Sequence, residues 1–315
     1  MQILIVGAGA LGGYFGARLL DAGRDVTFLL RERRAAALAH SGLVVRSPHG
    51  DLTIPAPPYV TATTIAHPYD LVIVACKAFD LAATMDAFAP AVGERTTILP
   101  LLNGMAHLDA LRTRFGDERV LGGLCVISAT LAGDGAVQHL NDAHLLAFGE
   151  LGGQQGVISP RVRAIAEAFA PARFDGRASA GIEQEMWEKW VFIATAAGIT
   201  CLMRAAVGDI VQAGGADLAL TLLHECSAVA AAHGFEPSVA ANERTRTFLT
   251  DGDSKITASM LKDLERGGPI EADHIIGDLL ARAPTDALPT LLPIVYTHLK
   301  AYEARRAREL AAAPR

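Results

Sequence analysis

The sequence predicts an α/β protein in two parts: a doubly wound, mostly parallel sheet in the N-terminal part, then an all-α C-terminal part. Three observations carry this. Residues 1–20 (MQILIVGAGALGGYFGARLL) read as a buried strand, a glycine turn and a helix. The run 70–76 (DLVIVAC) is a continuous apolar strand of the kind buried on both faces of a parallel sheet, and 25–30 (DVTFLL) and 96–102 (TTILPLL) read as further strands of that sheet. From residue 181 onward the pattern is helix after helix. The expected division is 1–180 for a dinucleotide-binding, Rossmann-like domain and 181–315 for a helical domain that carries the substrate and the catalytic groups.

The first stretch organises the rest. Gly7, Gly9 and Gly12 form the spacing G-x-G-x-x-G, with Ala8, Ala10 and Leu11 between them. In that pattern the first glycine allows a tight turn, the second lets backbone approach a pyrophosphate, and the third lets helix pack on strand. The helix start then offers N–H groups and a positive dipole end to the phosphates. Strand, glycine turn and helix in this order point to a bound dinucleotide. The second strand ends at Arg31, followed by Glu32-Arg33-Arg34. An acidic residue about 20 positions past the glycines takes a ribose 2′-hydroxyl, whereas arginine accommodates a 2′-phosphate. Arg31 therefore favours NADP(H), against a rival reading in which Glu32 holds the ribose or the run is simply a solvated helix start.

Residues 43–54 alternate around Pro48-His49-Gly50 like a hairpin, and the proline-rich segment up to Tyr59 reads as a loop. The strand at 70–76 delivers Lys77 at its carboxyl end, and the strand at 96–102 delivers Asn103-Gly104. Ligands of open α/β sheets bind beyond those ends, which makes Lys77 and Asn103 candidates, although Asn-Gly is also an ordinary turn pair. Residues 120–150 predict short antiparallel strands punctuated by Asp134-Gly135 and completing the sheet. In them His139 and His144 read as surface or satisfied histidines with no third candidate ligand nearby. A helix at 159–170 and a last strand at 172–174 complete the first part; helices at 181–202, 216–233, 256–265, 271–282 and 291–310 make the second.

Composition narrows the function classes. The 315 residues are 51% hydrophobic and 20% charged with a net charge of −6, and no basic cluster suits nucleic acid or an anionic membrane. No apolar run reaches the roughly 20 residues of a membrane span. No basic segment precedes the apolar start, unlike a secretory signal. Four widely spaced cysteines suggest neither a disulfide framework nor a metal site. The expected setting is the cytoplasm, with a small molecule as the substrate and a second copy of the chain, in a homodimer, as the expected partner.

Hydride transfer to a ketone creates an alkoxide, which needs a proton donor. Lys189, among Trp187, Trp190, Val191 and Phe192, is the first candidate, because desolvation would move a lysine from about 10.4 toward working pH. A lysine snorkelling from an amphipathic helix is the alternative. Glu271 is the second candidate; with Asp273 it also reads as an ordinary acidic helix start after Pro269.

Those residues fall into a longer ordered set. Val6-Gly7-Ala8-Gly9, Arg31, Lys77-Ala78, Asn103-Gly104-Met105, Trp187-x-Lys189, and Ser259-Met260-Leu261-x-Asp263 leading to Glu271-x-Asp273 recur in order along nearly the whole chain. In this the chain resembles the ketopantoate reductase (2-dehydropantoate 2-reductase) family. The resemblance implies an NADPH-dependent reduction of a 2-oxo acid to a 2-hydroxy acid, of the kind used in pantothenate biosynthesis. It also implies Lys189 as general acid, with Glu271 counted beside it, and Asn103 as a contact to both substrate and cofactor. Lys77 and Arg31 match cofactor-side positions, and Ser259 and Glu271 substrate-binding ones.

One departure stands out. Family members acting on ketopantoate carry asparagines one and two helical turns beyond the lysine, where this chain has Ile193 and Ala197. A substrate hydroxyl left unpaired there would cost on the order of 1 to 3 kcal/mol. Two alternatives follow: a reductase for a more apolar 2-oxo acid, of the D-2-hydroxyacid dehydrogenase type, and a catalytically silent NADP-binding sensor.

Overall fold

A computed structural model describes residues 1–153, 156–285 and 289–312. The chain divides into two compact units. The first comprises Met1–Leu102 and His107–Glu183; the second comprises Asn103–Ala106 and the chain from Gln184 onward.

The first unit is built on β1 (Gln2–Val6), α1 (Ala10–Asp21), β2 (Asp25–Leu29), α2 (Glu32–Ser41), β3 (Leu43–Arg46), β4 (Leu52–Ile54), β5 (Tyr59–Val60) and β6 (Leu71–Val74). There follow α3 (Leu81–Phe88), β7 (Thr97–Pro100), α4 (Ala106–Phe115), β8 (Leu121–Leu131), β9 (Val137–Glu150), α5 (Pro160–Phe169) and β10 (Asp175–Ala178). Strands β5-β2-β1-β6-β7 form one parallel sheet in that order, the Rossmann-like sheet expected. Ile3, Leu4 and Ile5 of β1, and all of β6, are fully buried, which explains their unbroken apolar runs.

The second sheet differs from expectation. Residues 120–150 are not short strands completing the first sheet but one long antiparallel pair, β8 against β9, with a register shift between Ile127 and Ala129. β9 also takes β3 and β10 in parallel, and β3 pairs with β4. A single isolated bridge, Ile98 to Val120, links β7 to the start of β8. The last strand lies at Asp175–Ala178 and not at 172–174, where Ala172 and Phe174 are instead buried packing residues. The two-residue β5 was hidden in the proline-rich segment.

Helix α1 packs against β1 and β2 on one side and against β3, β8 and β9 on the other. Small residues face both walls: a Cβ on Gly16 would meet the Phe28 ring at 2.5 Å, and one on Gly13 would meet Val137 at 2.8 Å. Tyr14 and Arg18 look toward the second sheet, and there His49 joins His139 and His144, the pair read from the sequence as surface or satisfied histidines with no third ligand nearby. His49 stacks on His144 at 3.8 Å between ring centroids. The Tyr14 hydroxyl meets His144 Nδ1 at 2.9 Å. His139 spends both nitrogens on protein, Nδ1 with Ser47 Oγ and Nε2 with the Ala143 carbonyl. Its remoteness from His49 in sequence concealed the cluster.

The second unit contains α6 (Ile182–Met203, from Gln184 on), α7 (Val207–Gln212), α8 (Ala216–Ala232), α9 (Val239–Leu249), α10 (Ser259–Glu265), α11 (Asp278–Ala281) and α12 (Leu291–Ala312). A π-helical turn, Asp273–Gly277, precedes α11. Trp187 and Trp190, 3% and 1% exposed, are core residues. The Trp187 ring lies nearly parallel to Phe235 and His233. Glu225 of α8 accepts the backbone N–H groups of Thr290, Leu291 and Leu292, and so caps α12. Those bonds, with the Thr290 hydroxyl, hold its carboxyl below the usual range against the opposing effect of burial.

The histidine cluster makes the first unit sensitive to acid. His144 is held below the ordinary imidazole value by burial first, then by His49, His139 and Arg18, with Asp175 opposing. Arg18 is 1% exposed. The unfolded chain therefore binds this proton more readily, and stability is lost as pH falls through the unfolded value of about 6.5. Thermal melts at constant ionic strength should show Tm falling between about pH 7.5 and 5.5, and His144→Gln should reduce that fall; an equal fall in both proteins would remove His144 as its source.

Candidate active site

In the first unit the glycine loop has the shape a dinucleotide requires. Gly7 has φ +93°, in the left-handed region, and its N–H donates to the Leu29 carbonyl at 3.0 Å. A Cβ on Gly12 would sit 2.0 Å from the Gly7 carbonyl oxygen, so only glycine lets α1 approach β1 this closely. A Cβ on Gly9, by contrast, would meet nothing within 4 Å: the backbone there faces open space. Gly9 is the N-cap of α1 and no side chain caps it, which leaves the first amides of Ala10, Leu11 and Gly12 for an anion. These residues fit the diphosphate of a nicotinamide dinucleotide.

Arg34 holds this loop in place, a role its sequence position did not reveal. Its Nε donates to the Ala8 carbonyl at 3.0 Å, and both terminal nitrogens donate to the Gly135 carbonyl at 3.2 Å in the β8–β9 turn. Partial burial pulls its pKa down. Arg31 is different: it is the N-cap of α2, with a side chain 71% exposed, and its Nη2 lies 3.1 Å from Asp80 Oδ1. Such an exposed pair contributes about 0–1 kcal/mol and yields readily to a stronger anion. Glu32 is the exposed first residue of α2, where an acid suits the helix dipole. Lys77, also exposed, is the N-cap of the short 3-10 turn Ala78–Asp80 after β6, the turn that carries Asp80.

In the second unit the structure joins two of the sequence candidates directly. Lys189 Nζ donates to Asn103 Oδ1 at 2.8 Å. Lys189 lies on α6 between two buried tryptophans, and Trp190 Nε1 donates to the Ile275 carbonyl at 2.9 Å. Ile193 lies one turn beyond Lys189 on the same helix face and is partly exposed, whereas Ala197, two turns on, is 3% exposed. Of the two apolar replacements, only Ile193 presents appreciable side-chain surface. Thr195 and Thr200 are fully buried and donate to the Val191 and Ala196 carbonyls of their own helix, so neither supplies a hydroxyl in place of the asparagines.

Glu271 stands just before the π turn, where its charge acts on His274, a residue that sequence reasoning passed over. The only sequence signal was its place in the run Glu271-x-Asp273-His274. Ser259 is the exposed first residue of α10, whose N-cap is Ala258. Asp273 accepts from Tyr296 Oη at 2.7 Å and pairs with Lys300.

Comparison with known proteins matches residues 3–153 to the family model "Ketopantoate reductase PanE/ApbA" and residues 181–303 to its C-terminal model. The chain belongs to the ketopantoate reductase family. A relative described as "Uncharacterized oxidoreductase YkpB", from Bacillus subtilis, is 36% identical over 97% of this chain and 100% of its own length. The crystal structure of a 2-dehydropantoate 2-reductase from Geobacter metallireducens is 32% identical, with TM-score 0.85 over 96% of this chain and 99% of that one. A D-mandelate dehydrogenase, solved with NADH and anilino(oxo)acetate, shares the fold at TM-score 0.84 and 20% identity, covering 98% of this chain and 100% of that one. Ketopantoate reductases are nicotinamide-dependent oxidoreductases acting on CH–OH groups, and they reduce 2-oxo acids. Among the described residues, no helix is long and apolar enough to cross a membrane.

Proposed function

We propose that this ketopantoate reductase family member reduces a 2-oxo acid to the 2-hydroxy acid with NADPH, and that Lys189 is the general acid. The observation that carries the reading is the 2.8 Å hydrogen bond from Lys189 Nζ to Asn103 Oδ1. An ammonium has three donors and no acceptor, so an amide oxygen taking one of them fixes the direction of the others. When bound, the nicotinamide supplies a hydride to the carbonyl carbon. Lys189 hydrogen-bonds the carbonyl oxygen, stabilises the alkoxide that forms there and transfers a proton to it, leaving a neutral amine that water reprotonates. Asn103 orients that ammonium, and Glu271 and Ser259 are assigned to the rest of the substrate. Gly7 to Gly12 cradle the diphosphate, with Arg34 holding the loop and Lys77 and Arg31 on the cofactor side.

Ile193 favours a second reading of the substrate. Its apolar surface on the lysine face suits a 2-oxo acid with a plain branched or aromatic side chain better than one bearing a hydroxyl, because a buried unpaired hydroxyl is penalised and a hydrocarbon is not. The D-mandelate dehydrogenase of the same fold, crystallised with an aromatic oxo acid, supports this direction.

Turnover tests the proton donor: Lys189→Ala should lower kcat by roughly 10² to 10⁴ while NADPH still binds, and near-normal turnover would return Lys189 to a snorkelling surface role. Cofactor choice tests Arg31. NADPH should be preferred to NADH in kcat/KM, with Arg31→Ala narrowing the difference; equal use of both by the unaltered protein would hand the ribose to Glu32. The substrate reading is checked on a panel of 2-oxo acids. An apolar member should exceed ketopantoate in kcat/KM, and Ile193→Asn should move the preference toward ketopantoate, whereas ketopantoate as the best substrate of the unaltered protein would refute the apolar reading.

A further inference from the structure

The residues around His274 close a ring with the lysine and asparagine of the proposed site. Beginning at Lys189, the ammonium holds the Asn103 carboxamide oxygen at 2.8 Å. The backbone carbonyl of the same Asn103 is hydrogen-bonded by the His274 ring. His274 is followed by Ile275, whose carbonyl accepts from Trp190 Nε1 at 2.9 Å. Trp190 is the chain neighbour of Lys189, and there the ring closes. Three hydrogen bonds and two pairs of adjacent residues thus bind α6, the Asn103–Gly104 segment and the π turn into one circuit.

Two further features make the circuit stiff. Gly104 has φ +77°, and a Cβ there would lie 2.9 Å from the His274 carbonyl oxygen and 3.3 to 3.4 Å from ring atoms Cδ2 and Nε2. The Cδ2–Nε2 edge of the imidazole therefore lies close to Gly104, at a place where a side chain would crowd it. The π turn is also anchored on both sides of His274. Tyr296 and Lys300 of α12 hold Asp273, and Trp190 of α6 holds Ile275. A π turn is rare and tends to occur at functional sites. Here it swings a histidine onto the backbone of the residue that receives the lysine.

We propose that His274 is a positioning residue: by fixing the Asn103 backbone it aims the Asn103 carboxamide, and through it the Lys189 ammonium, at the substrate carbonyl. The inference rests on the reading of Lys189 as general acid. It goes beyond that reading by giving a role to a residue whose ring bonds the backbone of Asn103, the acceptor of the ammonium. Chemistry also favours a neutral imidazole here. Burial lowers the pKa of His274, against the charges of Glu271 and Asp278 and the bond to Asn103 that oppose it. A neutral ring donates one N–H without placing a second cation near Lys189, which would drive off the proton that catalysis needs.

The test uses the full chain with NADPH and the best 2-oxo acid of the panel. His274→Phe keeps a planar ring and removes the donor; His274→Gln keeps a donor. With the donor gone, the lysine–asparagine bond loosens, and a misplacement near 1 Å can cost on the order of 10²-fold. His274→Phe should therefore lower kcat by roughly 10 to 100-fold with KM little changed. It should also shift the basic limb of the kcat–pH profile to lower pH, because the loosened hydrogen bond to Asn103 favours the charged lysine less. His274→Gln should restore both. Equal behaviour of the two variants, or an unmoved basic limb in both, would overturn the proposal. If His274→Phe does not fold, Trp190→Phe opens the same circuit at the Ile275 carbonyl and must shift the limb in the same direction. Lys189→Ala separates the two readings. If it keeps turnover, the general-acid reading fails; if it loses turnover while His274→Phe keeps the full kcat, only the positioning role fails.

Discussion

The first unit depends on how closely α1 lies to β1. With no Cβ at Gly12, the helix approaches the Gly7 carbonyl to a distance that any other residue would forbid. That approach sets the loop between them, opens its backbone at Gly9, and points the uncapped start of α1 into the space beyond the strand. Everything proposed for the cofactor follows from this geometry, including the role of Arg34, which ties the loop to a turn more than a hundred positions away in sequence. Electrostatics add to the arrangement without creating it: the helix dipole and Arg31 favour phosphate, but only because the backbone has left room.

The second unit solves a different problem, that of holding a flexible cation still. A lysine has four rotatable bonds and a strong preference for water. Here the helix around it carries the buried rings of Trp187 and Trp190, its ammonium is received by a carboxamide, and that carboxamide's backbone is in contact with the π turn. The cost of ordering the side chain is spread over a network that also holds α6 and α12 in place. The hydrogen bonds that hold these elements together are thus the same ones that order the proposed proton donor.

What could be read from the sequence was whatever is local. The glycine loop, the parallel strands and the helical second half were all legible, because period, turn chemistry and apolar runs act over a few residues. The lysine, asparagine and glutamate of the proposed site were legible through family resemblance, whereas spacing alone left each of them an ordinary surface or capping reading. Long-range pairing was not legible. The β8–β9 pair looked like several short strands because its exposed end alternates weakly, and His49 gave no sign that it stacks on His144. Arg34 and His274 were missed for the same reason: each acts on a backbone carbonyl that only the fold brings near.

The two-sided burial of α1 has a kinetic consequence. One wall of the helix, the parallel sheet, is encoded close by. The other is not: Tyr14 meets His144 across 130 positions of chain. During synthesis the helix must therefore wait for most of its unit to emerge before its second face is covered, leaving buried aromatic and cationic side chains temporarily exposed to water. Long-range pairing of this kind slows folding. The element that shapes the glycine loop is thus among the first made, yet its second face stays uncovered until a strand more than a hundred positions later has emerged, an interval in which it is open to misassembly.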